Sequence, residues 1–293
     1  MKTLLLVGAS GFLGSHIKLS YQNLGWNVVT LGRNKKSDFV FDANNLDQIC
    51  QLPIDIKIDR VINAAAVNET LISDHLVCAY NINVSLTRIL LELARIHKIP
   101  EFIYISTFHV YGKADGEIGC TTVKKPKNDY ALTHYLSENI VNFLGDTFGI
   151  KTLIVRPTNI YGIPIDITHF NRWSLVPFEF VRDAVNLNSI KIRSSGLQQR
   201  NFVGVNDVIA ATHLIDSSKE VNAYGNDTIT IRDFSLMIAN INKELFDKNC
   251  IVEWGDECLG IGRDLIMTED NLKYEPREHI KLFVEKFLKA LYK

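Results

Sequence analysis

The segment Thr3-Leu4-Leu5-Leu6-Val7-Gly8-Ala9-Ser10-Gly11-Phe12-Leu13-Gly14 decides how the chain is expected to fold. An apolar run typical of a buried parallel strand leads directly into a glycine-rich turn, and a helical pattern follows from Phe12 to Leu24. Glycine permits a tight turn close to a pyrophosphate, and the N–H groups at a helix N-terminus attract negative charge. The order predicts a dinucleotide-binding loop formed by Gly8, Ser10, Gly11, Phe12, Leu13 and Gly14. A glycine-rich turn without a cofactor is the alternative.

Short apolar runs and longer helical patterns continue to alternate along the first half of the chain. Further strands are predicted at 27–31, 60–63, 102–105 and 152–155, and the clearest helices at 83–97 and about 130–148. This alternation predicts an α/β fold with a doubly wound parallel sheet of the Rossmann type. We expect residues 1–162 to form this domain. We expect residues 163–293 to form a smaller C-terminal α/β substrate-binding lobe, with segments around 200–216 returning to the Rossmann domain.

The composition excludes several classes of partner. The formal net charge of the 293 residues is -1, which gives no basic footprint for nucleic acid or an anionic membrane surface. No run approaches the roughly 18 apolar residues of a membrane span, and the N-terminus reaches glycine too early for a signal peptide. The five cysteines lack CxxC spacing, so no metal site is expected. We predict a cytoplasmic protein with reduced thiols.

Several further motifs follow the glycine loop in a fixed order. They are Val61–Ala66, Asn83-Val84 with Leu90-Leu91-Glu92, Ser106–Gly112, Arg156–Gly162 and Arg200–Val208. Together with the Gly-x-x-Gly-x-x-Gly loop, they resemble the extended short-chain dehydrogenase/reductase family, in its nucleotide-sugar epimerase, dehydratase and reductase branch. The resemblance covers nearly the full chain. It implies a nicotinamide dinucleotide bordered by Ala64 and Ala65, a nucleotide-diphospho-sugar substrate, and a homodimer built through the helices at 83–97 and 130–148.

The residues after the second strand bear on which nicotinamide cofactor binds. NAD enzymes carry an acidic residue there, which accepts hydrogen bonds from the adenosine ribose. This chain instead has Arg33-Asn34-Lys35-Lys36, so cations are available for the 2′-phosphate of NADP. We therefore predict NADP rather than NAD, with Arg33 as its contact, although a solvated basic turn is the alternative. The resemblance implies that Asp42 lies under the adenine.

The resemblance also implies a catalytic set of a hydroxyl, a tyrosine and a lysine in a Tyr-x-x-x-Lys motif. Thr107 occupies the hydroxyl position and Tyr130 the tyrosine position, but position 134 is histidine. A residue four positions after Tyr130 lies on the same helix face, and histidine can hydrogen-bond a ribose hydroxyl. Thr107, Tyr130 and His134 are therefore the candidate catalytic residues, the last two also binding cofactor. The missing lysine leaves open a catalytically silent NADP(H)-binding protein.

The reaction type follows from what the tyrosine must do. Reduction of a ketone needs a neutral tyrosine as acid, and a tyrosine with its pKa near about 10 is protonated at pH 7. Dehydratases of the family carry Thr-Asp-Glu where this chain has Thr107-Phe108-His109, and the cysteine of the 3,5-epimerase/reductases is also missing. We predict an NADPH-dependent 4-ketoreductase of nucleotide-diphospho-keto-sugars in deoxysugar or glycan biosynthesis, similar to dTDP-4-dehydrorhamnose reductases. A nucleotide-sugar 4-epimerase is the alternative.

Four residues are expected to bind the substrate. Arg200 suits the diphosphate, because a guanidinium pairs two oxygens at once, and a surface cation is the alternative. Asn159 is expected to contact the phosphates or the base. His109 is expected to contact the sugar, with a structural histidine packed beside Val110 and Tyr111 as the alternative. Trp173 lies in a loop-rich insert that would cover the pocket, where it is either part of the core or a stacking platform.

Overall fold

The computed structural model describes residues 1–69, 71–72, 74–255, 264–268 and 274–292. Its strands are β1 (Thr3–Val7), β2 (Asn27–Gly32), β3 (Phe39–Val40), β4 (Arg60–Asn63), β5 (Glu101–Ile105), β6 (Gly116–Ile118), β7 (Lys151–Pro157), β8 (Asn159–Tyr161), β9 (Ser189–Ile192), β10 (Gln199–Gly204), β11 (Glu220–Ala223), β12 (Asp227–Thr230), β13 (Ile251–Trp254) and β14 (Leu265–Met267). Its α-helices are α1 (Phe12–Asn23), α2 (Leu76–Tyr80), α3 (Leu86–Ile96), α4 (Asp129–Phe148), α5 (Val176–Asn186), α6 (Val205–Ala211), α7 (Ile231–Phe246) and α8 (Ile280–Leu291). A π-helix, Asn81–Ser85, joins α2 to α3.

Seven strands form one parallel sheet in the order β11-β7-β5-β4-β1-β2-β3. The side chains of Leu4, Leu5, Leu6 and Val7 on β1 have no exposed surface, because helices cover both faces of the sheet. The predicted doubly wound Rossmann fold is therefore confirmed. The strand order reverses between β1 and β4, so the carboxyl ends of these two strands border the crevice in which such folds bind ligands.

The smaller lobe is built around the three-stranded sheet β12-β10-β8 and the helices α5, α7 and α8. Its core is rich in aromatic rings, including Phe178, Phe202, Phe234 and Phe287. Phe12, from the start of α1, joins this core: its ring centroid lies 5.3 Å from that of Phe178. The cofactor loop of the Rossmann domain is thereby fixed against the lobe.

The chain passes between the two units more than once, and the crossing points differ from the predicted ones. The strand β8 already pairs with β10 in the lobe sheet, although it precedes residue 163. The return to the Rossmann domain spans 205–223, rather than 200–216, because β10 belongs to the lobe and β11 pairs with β7. The strand β11 contributes only Val221 and Ala223 as apolar residues, so no continuous apolar run marked it in the sequence.

One described helical segment, Leu76–Ile96, is long and apolar enough to cross a membrane by length and composition. The apolar runs of the sequence are too short to predict such a segment. Within this structure Leu86, Leu90 and Leu93 have no exposed surface and pack in the core, whereas Leu76 and Val77 at the start of the segment are exposed.

Candidate active site

The turn between β1 and α1 requires glycine at two positions. Gly8 has a φ of +86°, and a Cβ there would lie 2.8 Å from the backbone nitrogen of Ala65. A Cβ on Gly14 would lie 2.1 Å from the carbonyl oxygen of Gly8. The N–H of Gly11 donates to this same oxygen over 3.0 Å. The loop is therefore packed backbone to backbone against the end of β4, which leaves no room for side chains.

The N-terminus of α1 suits an anion. No side chain caps the helix within the part of the chain that is described, its first turn carries no acidic residue, and Ser10 and Gly11 are exposed. The free N–H groups of the first turn fit a pyrophosphate. The side chains of Phe12 and Leu13 pack into the lobe core and the Rossmann core, so these residues would reach a cofactor through their backbone.

The turn after β2 is basic and open to solvent. The side chains of Arg33, Lys35 and Lys36 are all exposed. The first carboxylate beyond them, Asp38, accepts hydrogen bonds from the hydroxyl and the N–H of Thr30 at 2.7 and 2.8 Å, and these bonds lower its pKa. Asp38 is thus tied to the middle of β2 rather than to its carboxyl end.

Asp42 follows β3 and is also exposed. One of its carboxylate oxygens accepts the N–H of Asn44 over 2.9 Å, which closes a local turn. The other oxygen has no hydrogen-bond partner among the described residues. The adenine contact that the family resemblance implies for Asp42 stays a prediction.

Thr107 and Tyr130 meet although they lie on different elements. Thr107 lies two residues after the end of β5, and its hydroxyl accepts the N–H of His109 over 3.3 Å. Tyr130 lies in the first turn of α4. A side-chain hydrogen bond joins the Thr107 hydroxyl to the phenol. Burial raises the pKa of Tyr130, although the charge of Arg172 and the bond to Thr107 oppose this effect. The phenol is therefore protonated at neutral pH.

His134 lies one helical turn after Tyr130, and their ring centroids are 4.7 Å apart. The side chain is 2% exposed, and its Nδ1 lies 2.8 Å from the phenolic oxygen of Tyr104. Burial lowers the pKa of His134 to about 3, and the nearby His109 acts in the same direction. The ring is therefore neutral at physiological pH and supplies no cation. Its Nε2 is buried without a hydrogen-bond partner among the described residues.

A buried ionic network, which the sequence did not predict, lies beside the segment that contains Ser106 and Thr107. Arg156, at the end of β7, donates to both carboxylate oxygens of Glu138 on α4, and to Glu220 on β11 over 2.8 Å. Ser106, next to Thr107, donates to the same Glu138 over 2.5 Å. A charged residue directly after the apolar run Leu153-Ile154-Val155 was the available sequence signal, because buried charges need partners.

His109 lies beside the ring of Tyr130, and Arg200 lies close enough to His109 to act on its charge. The ring centroid of His109 is 6.0 Å from that of Tyr130. Arg200 is half-buried on β10, and its guanidinium makes no hydrogen bond or salt bridge within the described residues. Desolvation lowers the pKa of His109, Glu69 opposes this effect, and the charge of Arg200 adds to it. An unpaired guanidinium near His109 is suited to an anionic ligand.

Asn159 and Trp173 have structural contacts of their own. The amide of Asn159 donates to the backbone oxygen of Asn201 over 2.8 Å and so joins β8 to β10. The ring of Trp173 stacks on Phe287 at 6.1 Å and meets Phe170 edge-on at 5.0 Å in the lobe core. These contacts explain both residues without a substrate. Their predicted substrate contacts stay predictions.

The described residues contain no group of three or more His, Cys, Asp and Glu side chains arranged to hold a metal ion. Cys50, Cys78, Cys120 and Cys250 form no disulfide among the described residues, and Cys258 lies outside them.

Comparison with known proteins identifies relatives of the whole chain. The human dTDP-D-glucose 4,6-dehydratase is 27% identical, over 83% of this chain and 73% of its own length. The dTDP-4-dehydro-6-deoxy-D-allose reductase of Streptomyces bikiniensis is 23% identical, over 81% of this chain and 80% of its own length. The relatives thus include nucleotide-sugar dehydratases and a keto-sugar reductase.

Two solved structures share the fold over almost the whole chain. UDP-glucuronic acid 4-epimerase from Bacillus cereus, in complex with UDP-glucuronic acid and NAD, superimposes with a TM-score of 0.79 at 22% identity, covering 99% of this chain and 100% of that one. RMD from Pseudomonas aeruginosa, complexed with NADPH, gives a TM-score of 0.82 at 20% identity, covering 99% and 98%. A model of the NAD dependent epimerase/dehydratase family matches residues 4–228. The chain therefore belongs to this family of extended short-chain dehydrogenases/reductases, as its motifs predict.

Proposed function

We propose that the protein reduces the keto group, at C4, of a nucleotide-diphospho-keto-sugar with NADPH. The observation that carries the proposal is the uncharged His134 beside the protonated Tyr130. A ketone reductase needs a phenol that donates a proton, whereas an epimerase must first remove a proton from an alcohol and so needs the phenolate. With no lysine at position 134 to stabilise a phenolate, the site favours donation.

In the proposed reaction Tyr130 donates its proton to the carbonyl oxygen of the sugar. The Thr107 hydroxyl hydrogen-bonds the same oxygen and stabilises the negative charge that develops there. The nicotinamide, when bound, supplies the hydride to the carbonyl carbon. The unpaired Arg200 binds the substrate diphosphate, and His109 contacts the sugar.

The residues that would hold the cofactor are those of the crevice between β1 and β4. The tight glycine loop and the uncapped α1 suit the pyrophosphate, and Nε2 of His134 offers a buried hydrogen bond to the nicotinamide ribose. The exposed Arg33 suits the 2′-phosphate, because the following carboxylate, Asp38, is engaged with Thr30. The set proposed for NADPH is Gly8, Ser10, Gly11, Phe12, Leu13, Gly14, Arg33, Asp42, Ala64, Ala65, Tyr130 and His134.

Dehydration is not part of the proposal, although dehydratases are among the relatives. The residue after Thr107 is Phe108, which is buried in a small apolar cluster with Val110, Tyr111 and Ile118. The two positions after Thr107 carry no carboxylate that could protonate the leaving hydroxyl or remove the proton from the neighbouring carbon.

A 4-epimerase is the second candidate. Its support is the charge of Arg172, which acts on Tyr130 in the direction of phenolate, together with relatives such as the Bacillus subtilis protein described as an uncharacterized UDP-glucose epimerase, 24% identical over 95% of this chain. Net consumption of the cofactor separates the two activities, because an epimerase returns the hydride that it takes.

The proposal is tested on a panel of dTDP-, UDP- and GDP-linked 4-keto-6-deoxy sugars. Absorbance at 340 nm follows NADPH, and mass spectrometry follows the sugar. A reductase gives a product two mass units heavier than the substrate, with one NADPH oxidised per product. Interconversion of epimers without net oxidation of NADPH would establish the epimerase, and tight NADPH binding without turnover on the whole panel would establish the silent binder.

We further propose that the protein acts as a cytoplasmic homodimer. The face of α4 that points away from the Rossmann core exposes Leu132, Leu136 and Phe143, at spacings of four and seven residues. Apolar residues at such positions form the seam between packed helices. A second copy of α4 is the partner that the proposal assigns to this face.

A further inference from the structure

Tyr104 and His134 form a buried pair whose two members lie on β5 and α4. The phenolic oxygen and Nδ1 are 2.8 Å apart, and neither side chain is more than 2% exposed. We propose that Tyr104 is a positioning residue whose hydroxyl holds His134 in its Nε2-protonated form, ready to donate to the nicotinamide ribose. The inference rests on the proposed function and deepens it, because it concerns the position that carries lysine in the family motif.

The proposed hydrogen bond runs from the phenol of Tyr104 to Nδ1 of His134. The neutral His134 ring carries one N–H, and Tyr104 keeps its hydroxyl proton because burial raises its pKa. When the phenol donates to Nδ1, both groups are satisfied and the ring proton resides on Nε2. In the opposite arrangement Nδ1 would donate to the phenolic oxygen, and the phenolic proton would go to the oxygen of Ser137, which bonds the phenol and donates its own proton to the backbone oxygen of Asn83. The two arrangements place the ring proton on different nitrogens, and the NMR measurement below separates them.

The second observation is the unpaired Nε2. This atom is buried and has no hydrogen-bond partner among the described residues, although buried polar groups are nearly always paired. The ring of Tyr130 lies 4.7 Å away, so His134 shares a helix face with the catalytic phenol. An unpaired buried N–H on this face points to an oxygen of a ligand, and a ribose hydroxyl is such an acceptor.

The pair explains how the site can bind a nicotinamide ribose without a cation. With the hydroxyl of Tyr104 present, every molecule offers an N–H at the same place. Without it, the ring can turn over and can carry its proton on either nitrogen, so only a fraction of molecules is competent to bind. The apparent Kd rises in inverse proportion to that fraction.

The test is a cycle of variants with NADPH binding as the readout. Tyr104→Phe removes only the hydroxyl, and we expect it to raise the Kd for NADPH about threefold to tenfold, as the competent fraction falls. In a His134→Ala background the same substitution should change the Kd by less than about twofold, because the donor that it positions is gone. The matched control is Tyr21→Phe, which removes a buried hydroxyl bonded to Thr212 and should leave the Kd unchanged.

A second measurement needs no cofactor. Nitrogen-15 NMR of protein labelled at histidine should show His134, identified by its loss in His134→Ala, as the Nε2–H form in the unmodified protein. A contribution from the Nδ1–H form should appear in Tyr104→Phe. An Nδ1–H form in the unmodified protein, or an equal loss of affinity in both backgrounds, would overturn the inference. Coupled binding without reduction of any keto-sugar would instead overturn the proposed reductase and leave the Tyr104–His134 pair intact.

Discussion

The buried guanidinium of Arg156 donates to both carboxylate oxygens of Glu138, over 2.7 Å from Nε and 2.9 Å from Nη2. Arg156 has no exposed surface, so its charge depends wholly on protein partners. Glu138 also accepts the hydroxyl of Ser106, so hydrogen bonds link this ion pair to the residue next to Thr107, which we propose as catalytic.

Glu138→Gln should destabilise the protein, because it leaves a buried guanidinium without its bidentate partner. Breaking a buried pair costs about 3–5 kcal/mol, and the remaining bond to Glu220 puts the expected loss near the lower limit. Urea unfolding measures the free energy. The matched control is Glu92→Gln, which removes an exposed partner of Arg95 on α3 and should change stability little. Equal losses in both variants would contradict the role given to the pair.

Arg33→Ala should weaken binding of NADPH and leave binding of NADH unchanged. The exposed guanidinium is expected to contact only the 2′-phosphate, which NADH lacks. One charge-assisted contact is worth about 1.5–3 kcal/mol, so the unmodified protein should prefer NADPH by roughly tenfold to a hundredfold. Fluorescence titration of both cofactors into both proteins measures the effect. Equal affinities for the two cofactors in the unmodified protein would disprove the NADP assignment.

The local parts of this structure could be predicted from the sequence, whereas the parts built by distant residues could not. The apolar run before Gly8 and the helical period after it define β1, the loop and α1, because each element depends on its own residues. The four-residue spacing of Tyr130 and His134 likewise sets them on one helix face. Tyr104, by contrast, lies 30 residues before His134 and reads as one more apolar residue of a buried strand. Its hydroxyl acquires a partner only when β5 and α4 pack together.

Phe143→Glu should convert a dimer into a monomer. Phe143 is 69% exposed on α4, and in a twofold interface its replacement acts on both copies. Burial of one such ring is worth about 1.5–3 kcal/mol, so two copies imply a Kd for dimerisation raised by about a hundredfold or more. Sedimentation equilibrium measures this constant. Leu187→Glu, at an equally exposed leucine beyond the end of α5, is the control and should stay dimeric.

Tyr130→Phe should abolish turnover and leave NADPH affinity nearly intact, because only the proton donor is removed. Thr107→Ala should lower kcat by about 10²-fold to 10³-fold, as expected for one lost hydrogen bond to the developing oxyanion. Steady-state kinetics on the keto-sugar identified by the panel measure both. Tyr135→Phe, on the same helix but outside the catalytic constellation, should retain normal kcat. A near-normal kcat for Tyr130→Phe would show that another group protonates the carbonyl.

His134→Lys should change the pH dependence of the reaction more than it changes the fold. Burial now holds the phenol of Tyr130 protonated, with its pKa above the ordinary value of about 10, and the neutral His134 does not oppose this. A lysine ammonium four residues after the tyrosine would favour the phenolate and lower the Tyr130 pKa. Ketone reduction requires the protonated phenol, so its rate should change little near pH 7. Its decline at alkaline pH should begin at a lower pH than in the unmodified protein. Alcohol oxidation requires the phenolate, so its rate should increase most, and the increase of this rate with pH should begin at a lower pH.

Forward and reverse pH–rate profiles of the unmodified protein and the lysine variant measure both shifts. His134→Gln adds no charge, so it should leave both profiles in their original positions. An unchanged reverse rate in the lysine variant from pH 6 to 9 would mean that the charge at position 134 does not act on Tyr130. His134 would then serve in packing and cofactor binding alone, and the catalytically silent alternative would gain support.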